Sequence, residues 1–312
     1  MGHHSLHNLR YYVERFSEWP IPAVLFRRRL QGLLRKVDEH PERDRLRSRA
    51  DYYIQCDEPF EVCGGTRIGN FQDWAHSSYY FDIRRVLRYF PAHLGFEYRF
   101  GDETDPPERP TLTKARLIGE GGRRSVILKL NQVRHYRFVN DRVPYEAKED
   151  RLVWRGNVTR PWRAEVVRRY HADPSCDVGR TNHPEGPEQG YKPRLSISEQ
   201  LRHKFILCVE GNDVATGLKW VMSSNSLCFM ARPRFETWFL EGRLEPGRHF
   251  VEVAADHSDL LERVEEYRAR PEEAMEIVRN ANEHVRQFRD RRGETLVSLL
   301  VLARYFELSG QL

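Results

Sequence analysis

The segment FILCVEGNDVATGLKWVMSSNSLCFM (205–230) constrains the fold more than any other stretch. FILCV (205–209) and SLCFM (226–230) are apolar runs of strand length. Between them Gly211, Asn212 and Asp213 precede an apolar stretch, which predicts a turn and then a helix over 213–223. Strand, crossover helix, strand is a parallel βαβ unit, because parallel strands need a long connection, and that connection is right-handed. The run Ser223-Ser224-Asn225-Ser226 falls at the far end of the helix, where it is expected to cap it and turn the chain into the next strand.

Similar alternations recur on both sides of this unit and argue an α/β chain. Residues 1–50 are rich in Arg and Leu and read as helical, interrupted by Pro20 and Pro22; YYFDIRRVLRYF (79–90) is a helix stopped by Pro91. GFEYRF (95–100) alternates as a strand, GDETDPPERP (101–110) is a polar loop at its end, and SVILKL (125–130) is a buried strand. RLVWRG (151–156) reads as strand then turn, PWRAEVVRRY (161–170) as a helix with Pro161 near its first position, and 173–194 as a long surface loop. SISEQLRHK (196–204) opens with a Ser-x-x-Glu capping box, and the region from 258 onward is helical, with Pro271 as a start and Gly293 as a break.

At 312 residues the chain exceeds the size of one core, so two domains of roughly 150 residues each are expected. The charged connector NDRVPYEAKED (140–150) places the boundary. The expected division is an N-terminal lobe over 1–145, a C-terminal lobe over 146–280, and C-terminal helices over 281–312 packing back on the first.

Hydrophobic residues make up 39% and charged residues 31%, a folding composition. Seven lysines leave 44 of the 51 basic residues as arginine, and the formal net charge is +5. No aromatic-basic stripe or zinc-finger spacing accompanies this charge, which counts against a nucleic-acid partner and leaves anionic small ligands or an anionic membrane surface. The five cysteines form no CxxC pair and read as reduced thiols. MGHHSLHNLRYY has no apolar signal region and misses the myristoylation pattern, and no run approaches the ~18–20 apolar residues of a membrane span. The expectation is a cytoplasmic protein whose basic N-terminal helices admit peripheral contact with the inner face of a membrane.

Three constellations carry chemistry. In an open parallel sheet, ligands bind beyond the carboxyl ends of the strands. Gly211, Asn212, Asp213 and Thr216 fall there, suited to a diphosphate, with Asp213 alternatively a helix cap and Lys219 one turn inside. WRGNVTRPWR (154–163) sets Arg155, Arg160 and Arg163 around a turn, and arginine matches phosphate oxygens bidentately. Asp102, in FGDETD at a strand end, is placed to act as a general base on a hydroxyl. GEGG (119–122) precedes a strand and is no dinucleotide fingerprint; GxxxxGK[ST], HExxH and Asp-x-Asp are absent, and His135 reads as structural.

The blocks FGDETDPPERPTLTKAR, ILKLNQVRHYRFVNDR, LVWRGNVTR, EQLRHKFILCVEGNDVATGLKWVMSSNSLCFM, ETWFLEG and LEPGRHFVEV, in this order, resemble glycosyltransferase family 90 over about 75–310, with the bacterial lipopolysaccharide-biosynthesis branch nearest. The resemblance implies two Rossmann-like lobes facing across a cleft (GT-B), a UDP-sugar donor of glucose or xylose type, a lipopolysaccharide or other glycan acceptor, inversion at the anomeric carbon, and neither a required metal nor a cofactor. It matches Asp102, upstream of Thr113-Lys114, to the catalytic Asp, and Trp154-Arg155-Gly156 to an Arg-Gly that contacts phosphate. The nucleotide loop falls on Asn212 to Lys219, and Glu236 is assigned to ribose or sugar hydroxyls. Gly217 stands where the animal protein glucosyltransferases carry Arg, leaving Lys219 or Arg163 to supply that charge. The competing readings are a non-catalytic nucleotide- or polyanion-binding protein that keeps the fold and a metal-dependent transferase.

Overall fold

The computed structural model describes residues 3–183 and 189–312. The chain divides into two compact units: Met1–Tyr136 with Phe235–Phe239 and Phe288–Leu312, and Arg137–Arg234 with Leu240–Gln287.

The first unit opens with helices α1 (His3–Ser17), α2 (Ala23–Arg27), α3 (Leu30–Asp38) and α4 (Arg43–Tyr53). It continues through β1 (Thr66–Arg67), α5 (Ser77–Leu87), β2 (Gly95–Phe96), β3 (Thr111–Thr113), β4 (Ala115–Leu117), β5 (Ser125–Ile127) and α6 (Gln132–His135). The second unit contributes β6 (Glu149–Gly156), α7 (Pro161–Tyr170), β7 (Cys176–Arg180), α8 (Ile197–Gln200), β8 (His203–Leu207), α9 (Leu218–Met222) and β9 (Leu227–Ala231). β10 (Phe235–Thr237) belongs to the first unit, β11 (Val251–Val253), α10 (Leu260–Ala269) and α11 (Pro271–Arg286) to the second, and α12 (Arg291–Leu308) again to the first.

The second unit is built on a five-stranded sheet of order β11-β9-β8-β6-β7 in which every pairing is parallel. Both sheet faces are covered, so the strands are apolar at their centres: Leu152, Phe205, Leu227 and Phe229 lie in a core closed by Val166 and Val167 of α7, Leu260 of α10 and Ile277 of α11. Val153, Ile206 and Cys228, offset by one residue, are also buried. The central βαβ unit of the sequence is therefore present, but its helix is α9, five residues long instead of the expected eleven over 213–223. Gly211, Asn212, Asp213 and the Thr216-Gly217 pair favour turns over helix, and the chain bends over 212–214 and turns at 216–217. The Ser-Ser-Asn-Ser run ends α9 as expected: Ser224 Oγ donates to Val221 O at 2.6 Å and accepts from Ser226 N at 3.1 Å.

Other boundaries move for local reasons. The expected loop 173–194 contains β7, which completes the sheet edge on β6; residues 184–188 of that expectation lie outside the described residues. Gly293 does not break the C-terminal helices. It sits in the first turn of α12, where an added Cβ would stand 2.5 Å from Asp290 Oδ2, and Asp290 caps the helix by accepting from Arg292 N at 3.0 Å. The Ser196–Glu199 capping box forms in both directions.

The first unit holds short strands among helices: β1 pairs antiparallel with β2, β3 parallel with β5, and β4 antiparallel with β10. The predicted strand 95–100 shortens to β2, with a single further bridge from Tyr98 to Leu112, because Phe96, Tyr98 and Phe100 pack their rings around Phe71. α12 packs on α3, α4 and α5, and its buried Glu294 accepts from Arg49 at 2.6 Å, Lys129 at 2.6 Å and Trp238 Nε1 at 2.8 Å. A buried carboxylate persists only when paired in this way.

Candidate active site

The carboxyl ends of β6, β7 and β8 form one polar edge in the second unit. Arg160, exposed, precedes Pro161; proline confines it to extended backbone (φ −134°, ψ 145°), and its Nε donates to Asn212 Oδ1 at 2.7 Å. The loops after β6 and β8 are thus joined by two of the predicted residues. Arg163, in the first turn of α7, donates to Glu210 O at 2.8 Å, Val209 O at 2.8 Å and Asn157 O at 3.0 Å, satisfying carbonyls where β8 ends. A Cβ at position 211 would lie 3.3 Å from Arg163 Nη2, so Gly211 leaves room for that guanidinium.

Arg155 has a different setting. Its guanidinium donates to Pro193 O at 3.1 Å, Trp154 O at 3.0 Å, Asp177 O at 2.6 Å and Asp177 Oδ2 at 2.7 Å, which commits it to β7 and the chain beyond. Burial pulls the Asp177 pKa up, but Arg155 and Lys192 outweigh it and hold the carboxyl below the usual aspartate value. In the turn after β8, buried Asp213 accepts from Val214 N at 2.7 Å and organises the turn. It does not cap α9, whose N-cap is Gly217; Thr216 sits half-buried just before it. Lys219 lies wholly buried with its Nζ 2.5 Å from the equally buried Glu241 Oε1.

Several residues at this edge escape a reading of the sequence. Glu210 accepts from Arg234 N at 2.9 Å and Arg234 Nε at 2.8 Å, while its carbonyl takes Trp162 Nε1 at 3.0 Å. The Arg234 guanidinium sits 5.1 Å over the Trp162 ring. Asn182 brackets Val158, accepting from its N–H at 2.7 Å and donating to its carbonyl at 3.1 Å. The one available signal was position: Glu210 directly follows a strand and precedes Gly211.

In the first unit Gly101 adopts φ 109°, a conformation that strains other residues, and the turn presents Asp102. Lys114, the one residue between β3 and β4, is held by the ladders on either side and pairs its buried Nζ with Asp102 Oδ1. Burial would raise the Asp102 pKa, yet the Lys114 ammonium and the more distant Arg134 outweigh it, so the carboxyl titrates below its usual range while staying 23% exposed. Glu236 also lies in this unit, on β10 opposite Arg116 of β4, accepting from Arg116 Nε at 2.7 Å and Tyr52 Oη at 2.6 Å. Among the described residues, no group of three or more His, Cys, Asp or Glu side chains is arranged to hold a metal ion.

With this geometry in view, the likeness to known proteins is decisive. The model of glycosyl transferase family 90 matches residues 125–292, a stretch that contains all five strands of the parallel sheet. The O-glucosyltransferase LpsA of Dichelobacter nodosus is 37% identical over 309 residues, 98% of this chain and 97% of that protein. The chain belongs to glycosyl transferase family 90. More distant similarity, at 27% identity, joins this glycosyltransferase to protein O-glucosyltransferase 2 of Danio rerio (43% of this chain, 28% of that protein) and protein O-glucosyltransferase 3 of Homo sapiens (42% and 27%). Asp102 lies ahead of the stretch matched by the family model. No helix of the glycosyltransferase among the described residues is long and apolar enough to cross a membrane.

Proposed function

We propose that this family 90 glycosyltransferase transfers glucose from UDP-glucose to a hydroxyl of a lipopolysaccharide or related glycan, with inversion and without a metal or other cofactor. The two units act as the lobes of a GT-B enzyme, the second holding the donor and the first supplying the base. The observation that carries the reading is Asp102: a partly exposed carboxylate, kept ionised by a buried lysine, on a turn that Gly101 allows. An ionised carboxylate is the state a general base requires.

In the reaction the acceptor oxygen bonds to the anomeric carbon, its proton passes to Asp102, and the bond from that carbon to the UDP oxygen breaks with its electron pair leaving on the diphosphate. That departing charge falls to Arg160, the exposed arginine of the loop after β6, with Asn212 bonded to it and Thr216 further along the turn after β8. Arg163 and Arg155 shape the edge through the carbonyls and carboxylate they hold; Lys219 and Asp213 hold the turn from within, and Glu236 ties β10 to β4 through Arg116. Glucose is favoured as donor because the relatives are named O-glucosyltransferases.

The test is UDP release across a panel of UDP-sugars, with and without lipopolysaccharide core fragments and with EDTA. Turnover is expected to be greatest with UDP-glucose, to rise with the core fragments, and to survive EDTA. Turnover with no UDP-sugar overturns the donor assignment, and its loss in EDTA overturns the metal-independent mechanism.

A further inference from the structure

Eight of the eleven large hydrophobic side chains that stand exposed among the described residues fall in one part of the first unit, from Leu9 to Leu25 and at Trp74. On α1 they recur as Leu9, Val13 and Phe16, spacings of four and three that place them on one face. Leu9 and Val13 are 60% and 57% exposed. The opposite face anchors the helix: buried Tyr11 and Arg15 reach Asp82 Oδ1 at 2.8 and 3.1 Å. The outward stripe is therefore held in place by buried ionic contacts.

The stripe continues into an aromatic cluster. Phe16, Trp19 and Trp74 each lie within 6.0 Å of the Phe81 ring centroid, and Trp19 and Trp74 are 5.5 Å apart. Ile21, Val24 and Leu25, which follow Trp19 in the chain, are exposed as well. Basic groups fringe it: Arg84 places its guanidinium 3.9 Å from the Trp19 ring centroid, Arg10 on α1 is exposed, and exposed Arg27, Arg28 and Arg29 follow the buried Phe26.

We infer that this surface is an interfacial membrane-docking site that takes an anionic lipid bilayer. Tryptophan and aliphatic side chains beside arginine suit the headgroup boundary, where the rings enter and the guanidinium groups meet lipid phosphate. A surface meant only for a second protein would not need the three consecutive arginines, and a purely electrostatic one would not need the outward Leu9, Val13 and Phe16. The inference is independent of the sugar chemistry proposed above.

Flotation of the full chain with phosphatidylcholine vesicles, with and without phosphatidylglycerol, tests it. Wild-type protein is expected to float only with the phosphatidylglycerol vesicles. Each arginine near an anionic surface contributes about fivefold, so Arg27→Gln/Arg28→Gln/Arg29→Gln is expected to bind roughly a hundredfold more weakly. Leu9→Asp/Val13→Asp is expected to abolish binding, and because both side chains point outward it keeps the wild-type melting temperature and UDP release with a soluble acceptor fragment. Absence of wild-type flotation, or equal flotation with phosphatidylcholine alone, overturns the proposal. So does an ultracentrifuge result in which wild type is dimeric and Leu9→Asp/Val13→Asp monomeric while neither binds vesicles.

Discussion

Lys219→Met tests how the turn after β8 is held. Lys219 and Glu241 are wholly buried, with Nζ 2.5 Å from Oε1. Removing the ammonium leaves a carboxylate in the core, and breaking a buried pair from one side costs about 3–5 kcal/mol. At roughly 2–4 °C per kcal/mol for a domain of this size, the melting temperature should fall by about 6–20 °C. Lys219→Met/Glu241→Leu removes both charges and should recover most of that loss, since replacing a buried pair by apolar groups is often neutral. The assay is thermal unfolding with and without saturating UDP. Below its melting point, the single variant should retain the UDP-induced stabilisation of the wild type, because Lys219 supports the turn from inside. A single variant as stable as wild type that no longer responds to UDP would refute this reasoning and make Lys219 a direct phosphate contact.

Three further outcomes follow from named contacts. Asp102→Asn should lower kcat by about 10³-fold or more while leaving UDP affinity nearly intact, as expected for loss of a general base; wild-type turnover would remove Asp102 from that role. Lys114→Met should move the acid limb of kcat/KM to higher pH, because the cation that holds the Asp102 pKa down is gone while the burial that raises it stays. The sign for stability is the usual one for a depressed carboxyl: the pair's contribution is present above the ordinary aspartate pKa and is lost as pH falls through the lowered folded value, so acid unfolding of Lys114→Met should show less of that component. Arg160→Ala, at an exposed position, should shift stability by no more than about 0.5 kcal/mol yet weaken UDP binding about tenfold or more, read by calorimetry; unchanged affinity would take Arg160 off the diphosphate.

What the sequence makes legible here is local. β8 and β9 stand out because they are apolar on successive residues; the starts of α7 and α11 are marked by Pro161 and Pro271, and the Ser196–Glu199 box lies within four residues. The charged groups predicted from the sequence are governed by partners elsewhere in their own unit: Asp102 by Lys114, Arg155 by Asp177, Lys219 by Glu241, Glu236 by Arg116. No periodicity marks such pairs, because an ion pair needs only proximity and burial, which topology supplies. In a chain with 51 basic residues, counting arginines around a turn therefore overstates the charge available to a ligand. Of Arg155, Arg160 and Arg163, the first is bound to a carboxylate and the last to strand-end carbonyls, and Arg160 alone stands exposed. The same reasoning gives weight to Arg27, Arg28 and Arg29, which stay exposed beside an apolar surface where folding has left hydrophobic side chains uncovered as well.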